Sequence, residues 1–222
     1  MIKKFYYWFH NKFSRPEERG EYSSGYWLNI VRMNALDLCR FRRGRLLEVG
    51  CGEGLFLNKL AQQNKNLEIF GLDIWRVSIL KAKDRFQENK IKKINLIQAD
   101  SYNITFRDNS FDTVVCINVL YNLPSEEIFY MSLKEMTRVC KIGGRVIFEI
   151  RNRQNPFLCL KYKFAGFYDE TVKKHPLRTY RLDKVILFLE SMNMEIVKRI
   201  NIGFPYNKFP PIFIIEAEKK IN

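Results

Sequence analysis

From residue 45 onward, short apolar runs rich in β-branched residues alternate with longer runs in which apolar residues recur three and four positions apart. Residues 45–50, 67–73, 94–100, 111–117 and 144–150 carry the short pattern of buried strands. Residues 54–63, 75–87 and 125–140 carry the helical one, and Pro124-Ser125-Glu126-Glu127 gives the third helix a capping hydroxyl and first-turn carboxylates. Such alternation predicts an α/β fold, a doubly wound parallel sheet with helices on both faces. Beyond residue 150 the alternation lapses. Residues 151–180 are basic and aromatic, and Pro156, Gly166 and Pro176 are expected to break any long element there, so the segment reads as a cap inserted in the scaffold. A helix over 182–191 and strands over 194–200 and 211–217 follow, with Pro210-Pro211 suited to a strand start or sheet edge.

Composition changes this picture in three places. With 222 residues, 46% of them hydrophobic, the chain can close one sizeable core, and a single domain with appended segments is expected. The longest apolar run near the start, Phe5 to Phe9, is far short of the ~20 residues of a spanning helix, so a cytoplasmic location without a transmembrane segment is expected. The five cysteines, Cys39, Cys51, Cys116, Cys140 and Cys159, form no C-x-x-C pair, and the two histidines, His10 and His175, add no cluster. Buried reduced thiols and no metal site are therefore expected.

The net charge of +14 is unevenly placed. Residues 1–45 hold 10 basic against 4 acidic side chains and residues 151–181 hold 8 against 2, whereas residues 46–150 are nearly balanced at 14 against 13. A neutral scaffold with two basic flanks points to an acidic partner, substrate or surface, the plain alternative being solvated helix faces.

The densest chemical signal is Leu46-Leu47-Glu48-Val49-Gly50-Cys51-Gly52-Glu53-Gly54, a strand running into three alternating glycines and a helix. Glycine there permits a sharp turn and a close approach of backbone to ligand. Asp73 closes the second strand 19 residues after Gly54, where a carboxylate can accept both hydroxyl hydrogens of an adenosine ribose. Asp100 ends the third strand and offers a second carboxylate at the same sheet edge, suited to an adenine amine, with Ile74 and Leu55 as apolar walls. A nicotinamide dinucleotide site would need its third glycine where Leu55 stands.

Together, the segments 48–54, Asp73, Ala99-Asp100, 111–124 and 141–147 resemble the successive motifs of class I S-adenosylmethionine-dependent methyltransferases, over about residues 45–150. The resemblance implies a Rossmann-like seven-stranded sheet whose last strand, built here from Pro211 to Ala217, runs antiparallel. It implies S-adenosylmethionine as cofactor, with Gly50, Gly52 and Gly54 passing beneath its methionine part and Glu48 organising contacts near its amino group. Asp73 would hold the ribose, Ile74 and Asp100 would flank the adenine, and the Asn118 main chain would lie near the amino group. No base is assigned, although His175 in the cap and Tyr121 after the fourth strand are candidates to face the acceptor.

The fourth strand runs into Asn118-Val-Leu-Tyr-Asn-Leu-Pro124, which lacks the Asn/Asp-Pro-Pro-aromatic motif of adenine amino methyltransferases and is similar to the broad small-molecule group. A small-molecule or lipid- or phosphate-bearing acceptor is expected, contacted by Arg151, Arg153, Lys173, Lys174 and Arg178. Alternatives are an RNA-modifying methyltransferase and a nucleotide-binding protein of this fold without methyl transfer. Residues 1–44 are expected to form a helical lid and residues 45–222 the methyltransferase domain with its cap at 151–180. In the lid, Tyr22, Tyr26 and Trp27 would line the acceptor side, while the basic aromatic run from Lys3 to Phe13 would suit a membrane interface or a cover for the cleft.

Overall fold

A computed structural model describes residues 25–92, 94–168, 177–204 and 208–221. The alternation in the sequence becomes seven strands: β1 (Gly44–Val49), β2 (Leu67–Asp73), β3 (Ile94–Gln98), β4 (Phe111–Cys116), β5 (Cys140–Arg151), β6 (Met194–Ile202) and β7 (Ile212–Lys219). They form one sheet in the order β3-β2-β1-β4-β5-β7-β6. The first five are parallel, and β7 inserts antiparallel between β5 and β6, as expected of the last strand.

Side chains one residue apart on each strand serve opposite layers. Leu47, Val49, Val114, Cys116, Phe148 and Ile215 pack with Phe129, Leu133 and Met136 of α4 (Glu126–Val139) and Val185 and Leu189 of α6 (Leu182–Ser191). Leu46, Ile69, Val115, Ile147 and Ile214 face the other way. They pack with Val31, Ala35 and Leu36 of α1 (Tyr26–Cys39), Phe56 and Leu60 of α2 (Leu55–Gln63), and Ile79 and Phe86 of α3 (Arg76–Glu88). At α4 the anticipated start is present, since Ser125 Oγ accepts from Ile128 N at 3.1 Å and Glu126 and Glu127 occupy the first turn.

Three expectations need correction. The third strand stops at Gln98, because Asp100 and Asn103 close a small bridged turn, so Asp100 lies beyond the strand. The fifth strand is longer than 144–150. The cap contains an unbroken helix, α5 (Pro156–Tyr168), for a specific reason: Pro156 is its first residue, where a missing N–H costs nothing, and Gly166 is tolerated near its end.

All parallel strands point their C-terminal ends the same way, and the chain order reverses between β1 and β4. A crevice at that edge is the standard place for a ligand in a doubly wound sheet. Cys39, Cys51, Cys116 and Cys140 are buried free thiols, each pushed up in pKa chiefly by burial, and Cys159 is partly exposed.

Candidate active site

The glycine turn is built against β2. Gly50 N and Cys51 N both donate to Leu72 O at 2.8 Å, which fixes the turn before any side chain is considered. Asp73 then joins two loops, its Oδ2 accepting from Gly52 N at 2.8 Å and its Oδ1 from Trp75 N at 2.9 Å. Gly52 has φ 51°, and a Cβ built on it meets no heavy atom within 4 Å, so its open side is the cavity itself. Gly54 differs. Its Cβ would stand 2.7 Å from Phe86 and its φ is 76°, so packing against α3 and a left-handed backbone both call for glycine there.

The cavity, about 600 Å³, opens at the C-terminal ends of β1, β2 and β4. Of the residues expected in the site, Glu48, Gly50, Gly52, Asp73, Ile74, Asp100 and Asn118 line it together. Ile74, Trp75 and Val77 are exposed at one end, alongside Tyr102. Glu48 lies at the other end, 3% exposed, with Oε2 accepting no hydrogen bond. Burial pushes its carboxyl well above the usual range, the nearby Arg32 charge pulls it down, and Asp73 pushes it up.

Asn118 takes a left-handed conformation, φ 61°. Its N–H donates to Glu149 Oε2 at 2.6 Å and its Nδ2 to Leu28 O at 3.2 Å, which ties the site to α1. Its Oδ1 is buried and without a donor. Behind it the fully buried Glu149 faces Arg151 Nη2 at 3.5 Å, and the Arg151 guanidinium lies over the Tyr121 ring at 4.4 Å.

Sequence reasoning missed Arg32 and Glu149. Arg32 lines the cavity from the buried face of α1, and a lone charge among Val31, Ala35 and Leu36 is the signal that could have found it. Glu149 is an acid inside an otherwise apolar strand.

Several basic residues expected to meet the acceptor have other partners. Arg151 is 4% exposed, and Arg178 donates to the carbonyls of Leu123 and Pro124 while its N–H donates to Tyr121 O at 2.7 Å. They brace the Tyr121–Pro124 segment at the cavity wall. Tyr121 is itself buried, its hydroxyl pushed up in pKa chiefly by burial. Tyr26 and Trp27 are exposed on α1. Lys3 to Phe13, His10, Tyr22, Lys173, Lys174 and His175 lie outside the described residues. Among the described residues no group of three or more His, Cys, Asp or Glu is placed to hold a metal ion, and no helix is long and apolar enough to cross a membrane.

Comparison with known proteins finds relatives for the central part of this architecture. Residues 47–148 match the family model described as a methyltransferase domain. Over that stretch, somewhat under half of the chain, it is similar to a methyltransferase domain, in keeping with the S-adenosylmethionine-dependent methyltransferase that its motifs resemble. Two curated relatives are the phosphatidylethanolamine N-methyltransferase of Cereibacter sphaeroides and the tRNA (guanine-N(7)-)-methyltransferase of Ruminiclostridium cellulolyticum. The first is 33% identical over 107 residues, 48% of this chain and 50% of the relative. The second is 37% identical over 79 residues, 34% of each. The chain spans half or less of the length of these relatives. A solved S-adenosylmethionine-dependent methyltransferase from Methanosarcina mazei shares the fold, with a TM-score of 0.64 at 21% identity, covering 80% of this chain and 93% of that one.

Proposed function

We propose that this protein binds S-adenosylmethionine in the cavity and transfers its methyl group to a small, lipid-like or phosphate-bearing acceptor. One observation carries the cofactor reading: two buried acceptor atoms without donors, Glu48 Oε2 and Asn118 Oδ1, belong to residues lining the same cavity. A buried acceptor left unpaired costs about 1–3 kcal/mol, and an ammonium group carries the N–H donors that both lack. The methionine part of the cofactor has such a group, and Gly52 leaves the backbone side open for it.

Asp73, already held by two amides, presents its remaining lone pairs to the ribose hydroxyls, and Ile74 with Asp100 flanks the adenine. When bound, the cofactor supplies an electrophilic methyl on a sulfonium whose positive charge vanishes on transfer. The chain contributes alignment and exclusion of water, which suffice for much of the acceleration when nucleophile and methyl are held in line. For the acceptor, support comes from the basic flank, together with the lipid for which one relative is named.

Calorimetry tests the reading. The parent is expected to bind S-adenosylmethionine and its demethylated product, and Gly52→Val, strained at φ 51° and checked by its thermal melt, to bind neither measurably. Binding of NAD in place of both, or an unchanged affinity in Gly52→Val, overturns it.

A further inference from the structure

The helix α5 carries more apolar surface outward than inward. Leu158 and Ala165 face the protein, but Phe157, Leu160, Phe164 and Phe167 are 47% to 76% exposed. At 100° per residue these four fall within about 80° of one another, a continuous outward stripe. Phe164 and Phe167 touch along it, ring centroids 6.0 Å apart. Lys163 stands at one edge of the stripe and Lys161 at the other, and the helix has no acidic residue. A soluble monomer rarely leaves such a stripe to water without a use for it.

The stripe belongs to a larger face. Asn155 Nδ2 donates to Phe209 O at 2.5 Å and Asn152 Nδ2 to Pro210 O at 2.9 Å, which fasten the start of α5 beside residues 209 and 210. Phe204 and Phe209 are themselves exposed, and Trp27 packs against Gly203, where a Cβ would come within 3.0 Å of its ring. The pairings Arg151↔Ile212 and Ile202↔Ile212 put all of this at the sheet end where the cavity opens.

We propose that α5, with Trp27, Phe204 and Phe209 beside it, is a docking face for an anionic lipid bilayer that sets the cavity mouth against the membrane surface. The occupant follows from charge as well as from the phenylalanines. Lysines bordering an outward apolar stripe meet anionic headgroups while the rings enter the acyl boundary, the arrangement of an interfacial amphipathic helix. The sequence that contains the helix has the matching sign, residues 151–181 holding 8 basic and 2 acidic side chains, although Arg151 and Arg178 among them are engaged within the protein. A second copy of the chain would meet the same lysines and be repelled. Attachment through one such segment is reversible.

The test is cosedimentation of the full chain with vesicles of phosphatidylglycerol and phosphatidylcholine, against vesicles of phosphatidylcholine alone. Binding is expected to the anionic vesicles and to weaken with salt. Phe164→Glu with Phe167→Glu is expected to cut partitioning at least about tenfold, since two rings are lost and two anions added. Cofactor binding by calorimetry should stay unchanged, which shows that the variant folds and separates this surface from the methyl-transfer reading. No binding by the parent, or equal binding by the double variant, overturns the proposal. So does a parent dimer in sedimentation equilibrium that the double variant dissociates while neither protein binds vesicles.

Discussion

The two ends of the cavity are held by different means. At the β2 end, Asp73 is anchored by two loop amides, Trp75 two residues on and Gly52 in the glycine turn 21 residues earlier, and the walls are exposed apolar side chains. At the β1–β4 end the polar groups come from four separate segments, Arg32, Glu48, Asn118 and Glu149, and three of these, Arg32, Glu48 and Glu149, are almost completely buried. Both ends raise a carboxyl by desolvation, but the consequences diverge. Two amide bonds pull Asp73 part of the way back, whereas Glu48 is offset chiefly by a neighbouring charge and keeps one oxygen without a donor. Amides of two loops thus give a carboxylate that is partly satisfied before its ligand arrives. Long-range assembly gives one that the ligand completes.

Glu48→Gln exposes that difference most strongly. Loss of the charge-assisted bond to the cofactor's ammonium should weaken binding by about 100-fold. The apoprotein should respond in the opposite direction. A carboxyl whose folded pKa is raised by burial holds its proton where the unfolded chain has released it, so its contribution to stability is complete below the unfolded value and is lost as pH rises through the folded one. For Glu48 the loss begins near the ordinary 4.5 and runs upward. The variant should therefore melt higher than the parent near neutral pH, with the gap closing as the pH is lowered towards about 5. Thermal melts without cofactor check the second half. A variant that melts lower at neutral pH would mean that Glu48 already has a donor in the empty protein.

Arg32→Met reaches the same end indirectly. Arg32 lowers the Glu48 pKa, so removing it should leave more of the carboxyl protonated and cut cofactor affinity by about tenfold at neutral pH. Raising the pH should recover part of the loss, because the ammonium requires the ionised acid. A simple packing defect would lower affinity equally at every pH, and titrations across a pH series separate the two.

How much of this was legible follows the same division. The bounds of β2 coincide with the run Leu67 to Asp73, and Asp73 could be placed because a strand end after a glycine turn is a local feature. Glu48, Asp73 and Asn118 were within reach of the motif. The contact of Asn118 with Glu149 was not, because it spans 31 residues and depends on strand pairing that no local pattern encodes. Arg32 fell in a segment whose excess of positive charge suggests surface, and only the helix face it occupies distinguishes it. The three alternating glycines look alike in sequence, yet a Cβ would meet Val119 at Gly50, Phe86 at Gly54 and open space at Gly52. At α5 the proline and glycine signals were real, but their positions in the helix, first residue and near the end, decide whether they break it.

The smallest effect is expected at the exposed end. Asp100 lies in a bridged turn, with Asn103 N donating to its carbonyl at 3.2 Å, so replacing its side chain leaves the backbone of the wall in place. Its proposed partner is an exocyclic amine at a solvent-accessible rim, where water competes, and Asp100→Asn should weaken cofactor binding only about threefold. A more discriminating reading uses a cofactor analogue whose purine carries an oxo group where adenine carries the amine. Against the parent this analogue sets oxygen against carboxylate and should bind at least about tenfold more weakly than the natural cofactor. Against Asp100→Asn the amide can turn its N–H₂ toward the oxo group, and the preference should shrink to near unity. If the parent binds both ligands equally, Asp100 does not face the purine. If Asp100→Asn costs as much affinity as Glu48→Gln, the two ends are equally demanding and the contrast between them fails.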